Sequence, residues 1–86
     1  MKKKNKISDK IIINVDVYNE YGQDNFVRTD KIRKCDMSDY IATTVTKGDC
    51  QNIDESVDVI CEDIFNSRMS KTHRWKSHGF IYIFYK

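Results

Sequence analysis

The chain contains no leucine, and its single alanine is Ala42. Helix packing usually leans on both residue types, so the aliphatic interior must come from eleven isoleucines and six valines. These β-branched side chains are stiff about χ1 and fit a pleated surface better than a helix. A sheet is therefore expected to carry most of the core, with ten aromatic residues supplying large buried area. At 86 residues there is room for one small domain and not for two. A chain of this size buries only about 60% of its unfolded surface, so its margin of stability is thin. Hydrophobic residues make up 40% of the sequence, proline is absent and glycine occurs three times. That composition excludes a wholly disordered chain, a collagen-like repeat and a low-complexity linker. The longest aliphatic run, Ile11-Ile12-Ile13, is far short of the roughly 20 residues of a membrane span.

Periodicity divides the chain. Residues 10–18 alternate as a strand, with Ile11, Ile13, Val15 and Val17 on one face and Ile12, Asn14, Asp16 and Tyr18 on the other. Residues 20–25 read as a turn in which Gly22 supplies a positive φ, and residues 26–34 as the returning strand. Residues 40–46, rich in Thr, Val and Ile and bounded by Gly48, are expected to form a third strand. A helix begun by Ser38 is the alternative, because Met37, Tyr40, Ile41, Thr44 and Val45 also fit helical spacing. Residues 53–69 form the clearest element: Asn52 is a good N-cap, Glu55 completes a capping-box-like pattern, and Ile53, Val57, Ile60, Cys61 and Ile64 share one stripe. An aromatic strand follows at Phe80–Tyr85. The expected fold is α+β, a small antiparallel or mixed sheet of three to four strands with one amphipathic helix across a face, in the order β-β-(β)-α-β. A flexible basic tail is expected over residues 1–9 and the single domain over residues 10–86.

The formal charge of +2 conceals a bipolar distribution. Residues 1–35 carry nine basic and five acidic side chains, residues 36–63 one basic and eight acidic, and residues 64–86 five basic and none acidic. Segregated charge steers partners. On the helix, Asp54, Asp58 and Glu62 fall at i, i+4 and i+8, with Glu55 beside them and Phe65 and Met69 on their flank. Early acids favour the helix dipole, but Glu62 and Asp63 lie beyond its reach. The row is expected either to be a solvated face or to present charge to a basic groove, with Phe65 as an apolar anchor. After the helix come Arg68, Lys71, His73, Arg74, Trp75, Lys76 and His78, expected to form a loop. Lys71, Arg74, Trp75 and Lys76 combine cations with a stacking surface, the two ingredients of single-strand nucleic-acid binding; a solvated connection with Trp75 folded back on the core is the plainer expectation.

Catalytic and metal signatures are weak. There is no phosphate-binding glycine loop, nucleophile elbow, zinc-protease motif or dinucleotide fingerprint. His73 and His78 have one spacing found in zinc fingers, but Cys35, Cys50 and Cys61 include no closely spaced pair. An odd, irregular cysteine set also makes a poor disulfide framework and suits the cytoplasm. The Lys-rich start, residues 1–6, leads into an apolar stretch broken at Asn14 and Asp16 with no small-residue cleavage site, unlike a signal peptide. No cofactor, no metal and no membrane association are expected.

In overall character the chain resembles the small inhibitors encoded by phages and other mobile elements, anti-CRISPR proteins and other blockers of host nucleases or defence systems among them. The resemblance covers size, charge segregation and lack of catalytic motifs, not aligned positions, so it assigns no residue a role. It implies a non-enzymatic binding protein that inhibits or regulates a larger, nucleic-acid-handling protein; the residues expected to make that contact, Asp54, Glu55, Asp58, Glu62 and Phe65, come from the helical spacing and not from the resemblance. A nucleic-acid-binding module using Lys71, Arg74, Trp75 and Lys76 is the alternative, and a self-associating protein, such as a homodimer, the third.

Overall fold

In a computed structural model, residues 10–22, 25–49, 52–66 and 71–86 are described. The basic tail at residues 1–9, part of the first turn, Cys50, Arg68 and Met69 lie outside them. Strand β1 (Ile12–Asn19) returns as β2 (Phe26–Arg33). The chain then enters a helical stretch, α1, made of a 3-10 turn (Lys34–Asp36), an α turn (Met37–Tyr40) and a π-type turn (Ile41–Val45). A second helix, α2, runs through Ile53–Cys61 and continues with π-type bonding over Glu62–Asn66. Strands β3 (Thr72–Ser77) and β4 (Phe80–Tyr85) complete an α+β fold.

The four strands form one antiparallel sheet in the order β2-β1-β4-β3. Two hairpins thus meet along β1 and β4, with Val15 opposite Phe84 and Val17 opposite Tyr82. Strand alternation sends Ile13, Val15 and Val17 with Tyr82 and Phe84 to one face, where all five are buried. The helices cover that face. Met37, Ile41 and Val45 descend from α1 at four-residue intervals, and Ile60 and Ile64 from α2, all buried in the same cluster.

Two expectations are corrected. Residues 40–45 are helical and Thr46 caps them, so this segment is not a third strand; two described helices rather than one cross the sheet, and the order is β-β-α-α-β-β. The stripe Met37, Ile41, Val45 buries its side chains completely, and Tyr40 donates its hydroxyl to Asp30 on β2 at 2.8 Å. Consecutive left-handed residues, Lys47 (φ 53°) and Gly48 (φ 89°), then stop α1. Gly48 N–H returns to the Ala42 carbonyl at 2.8 Å, six residues back and so one residue wider than the 6→1 bond of a Schellman end, in keeping with the π-type last turn. Thr46, buried, satisfies its hydroxyl on the Ile41 and Ala42 carbonyls. The second correction concerns the basic loop after α2, of which residues 72–77 are strand β3. His78 (φ 53°) and Gly79 (φ 80°) join β3 to β4, with Ser77 opposite Phe80, the two-residue turn that suits twisted strands.

Candidate functional site

The N-terminus of α2 is fixed as the sequence implied. Asn52 accepts the Glu55 N–H through its side chain at 3.1 Å and donates its amide to the Glu55 carboxylate at 3.1 Å. This cap sets the helical phase, and the phase sets three faces. Ile60 and Ile64 point into the core, with Ile53, Val57 and Cys61 packed at its margin. Asp54, Glu55, Asp58 and Glu62 are exposed, and none makes an ion pair among the described residues. The remaining face, Asn52, Ser56, Val59 and Asp63, looks toward β3.

Phe65 does not stand out beside the acids. It packs against the core, and the ammonium groups of Lys34 and Lys86 lie 5.4 and 5.6 Å from its ring centre, within cation–π range. It is a covered aromatic. Its lysine neighbours instead mark where the acidic layer ends.

Alternation along β3 parts the cationic–aromatic group. His73 and Trp75 turn toward the helices, where Trp75 packs on the core margin. Arg74 and Lys76 are exposed on the opposite face, with Lys76 3.4 Å from Glu20. Lys71, also exposed, precedes the strand. That opposite face, uncovered by any helix among the described residues, also carries Tyr18, in edge contact with Phe26 at 5.4 Å, and Tyr85, whose hydroxyl donates to Asp16 at 3.0 Å. That bond raises the Tyr85 pKa, with burial adding to it.

Between α2 and β3 lies a cleft of about 520 Å³. Its helix wall is Asn52, Glu55, Ser56 and Val59; its strand wall is His73, Arg74, Trp75 and Lys76. His73, on the strand wall, also ties β3 to α2, its Nδ1 lying 2.6 Å from Asp63 Oδ2. The structure therefore brings Glu55, from the acidic row, beside Trp75 and the β3 edge at Arg74 and Lys76, whose side chains leave on the other face. Sequence reasoning missed Val59 and Ser56, whose only signal was a second helical stripe beside the core stripe.

Among the described residues no three His, Cys, Asp or Glu side chains gather as a metal site. His73 is held by Asp63, and His78 Nε2 lies 3.4 Å from Asp49. Cys35 is exposed, while Cys61 is half-buried and its thiol pKa is raised by burial. Among the described residues no helix is long and apolar enough to cross a membrane. No protein family matches the chain, and neither a curated protein nor a solved structure matches it.

Proposed function

We propose that the chain is a non-enzymatic binding protein that inhibits or regulates a larger, nucleic-acid-handling protein, as small phage and mobile-element inhibitors do. The observation that carries this reading is the layering of charge. Residues 36–63, which include most of the helical layer, hold eight acids against one base. Asp54, Glu55, Asp58 and Glu62 stand exposed on α2 without ion-pair partners among the described residues. Such a row presents negative charge at one-turn intervals on a rigid helix whose opposite side is anchored in the core. It complements a basic groove made for DNA or RNA, and complementary charge speeds association.

The test is affinity capture with nuclease-treated lysate, comparing the wild-type chain with Asp58→Lys/Glu62→Lys. Both positions are exposed, so the double variant keeps its far-UV spectrum and loses the captured protein. Equal capture by a folded double variant removes the acidic face from the account.

A nucleic-acid-binding role is the second reading, favoured by the uncovered sheet face, where Arg74 and Lys76 lie on the same side as Tyr18 and Tyr85. It requires oligonucleotide affinity that falls steeply with salt as counterions are released. Binding that is absent or insensitive to salt ends that reading.

A further inference from the structure

We propose that the cleft between α2 and β3 takes an extended polypeptide segment of alternating acidic and apolar residues, seated antiparallel on β3 as a fifth strand. This goes beyond the acidic-face reading and rests on it only in taking the partner to be a protein.

The argument begins with the edge. Among the described residues β3 pairs with β4 alone, and no backbone bond outside that ladder engages residues 73–77. Ser77 and Phe80 close a two-residue turn, so they form a hydrogen-bonded pair. Alternation then makes Trp75–Tyr82 and His73–Phe84 hydrogen-bonded pairs too. The N–H and C=O groups of Arg74 and Lys76 therefore point away from β4, toward an edge that no other strand among the described residues occupies. An exposed edge of this kind is a template for another strand.

The walls select the occupant. A strand laid on this edge has residues opposite Arg74 and Lys76 on the uncovered face, where a carboxylate lies beside each cation as a favourable cross-strand pair. Arg74 has no ion-pair partner among the described residues, and Lys76 is held only by Glu20 at 3.4 Å. The intervening residue, opposite Trp75, turns toward the helix wall. There it meets the Trp75 ring and Val59, an apolar side chain left 47% exposed. The minimal recognised unit is acid–apolar–acid. The other edge is less suited, because the β1–β2 register shifts between Val17 and Tyr18, and such irregularities protect edges.

Trp75, the only tryptophan in the chain, reports on the cleft directly. The probe is a capped peptide, Thr-Val-Glu-Val-Glu-Val-Thr, titrated while Trp75 emission and amide exchange are followed; its partner probe has Lys in place of both Glu. The expected result is a saturable emission change with the acidic peptide and slowed exchange of the Arg74 and Lys76 amides. The lysine peptide should bind about tenfold more weakly or worse. Lys76→Pro removes one outward N–H while leaving the β3–β4 ladder intact, and should weaken binding more than Lys76→Ala does. Val59→Asp should also weaken it, and all three variants are checked for folding by far-UV circular dichroism. The proposal is overturned if neither emission nor the two amides respond at millimolar peptide, if the lysine peptide binds equally well, or if Lys76→Pro binds as Lys76→Ala does. Asp58→Lys/Glu62→Lys lies outside the cleft and should leave peptide binding in place, so this site and the acidic face fail separately.

Discussion

Ile60 and Val59 are neighbours on α2, yet Ile60 is 0% exposed and Val59 47%. Replacing each with alanine therefore tests the phase of the helix on which both the acidic face and the cleft depend. Ile60→Ala removes three carbon atoms from a fully buried position, about 2.4 kcal/mol in transfer terms at about 0.8 kcal/mol per methylene. The cavity left in the buried cluster to which Ile60 belongs adds to this, for a total of about 3–4 kcal/mol. A domain of this length is stable by roughly 4–13 kcal/mol, so the variant loses a large share of its stability, and each kcal/mol lowers Tm by about 4–8 °C. Val59→Ala removes atoms already half in water and should cost under about 1 kcal/mol. Urea unfolding followed by Trp75 fluorescence and by circular dichroism measures both. If the two substitutions cost the same, or if Ile60→Ala costs less than about 1 kcal/mol, the helix is rotated from the position described and both surfaces are misassigned.

Two further outcomes follow from ionisable side chains. Burial, the hydrogen bond to Asp30 and that residue's charge hold the Tyr40 pKa above its ordinary value of 10.0. The folded state thus favours the neutral phenol, a stabilisation present below pH 10 and lost as pH rises beyond it. Tyr40→Phe should cost about 1 kcal/mol at neutral pH and flatten the alkaline fall in stability, leaving the smaller slopes of Tyr82 and Tyr85, whose pKa values are also raised. An equally steep fall in the variant refutes the assignment. Burial raises the Cys61 thiol while Cys35 is exposed, so mapped alkylation near neutral pH should modify Cys35 about tenfold faster; equal rates contradict the packing of Cys61.

What the sequence revealed follows from which physical signals are local. The alternation from Ile12 to Tyr18 needed only a period of two, and the structure buries Ile13, Val15 and Val17 together. The cap at Asn52 and the stripe through Ile60 and Ile64 needed only a helical period. Phe80–Tyr85 was legible because a short aromatic run has few other uses. Residues 40–46 were ambiguous because β-branched composition argued for a strand while Met37, Ile41 and Val45 fitted a helix. Contacts made from far away decided between them, including the Tyr40 bond to Asp30. β3 was hidden by its charges, although Thr72 to Ser77 do alternate in exposure, and His78-Gly79 was the unread turn signal. The cleft could not be read at all, since it depends on Ser56 and Val59 lying beside Trp75, a matter of how helix and sheet edge meet.

The most direct measurement is hydrogen–deuterium exchange of the chain alone and in complex with the captured protein, read by mass spectrometry. The account predicts that protection on binding falls on residues 53–66 and 72–77, leaving β2 as accessible as in the unbound chain. Protection over residues 26–33 with unchanged exchange in residues 53–66 would place the partner on the uncovered sheet face and contradict it.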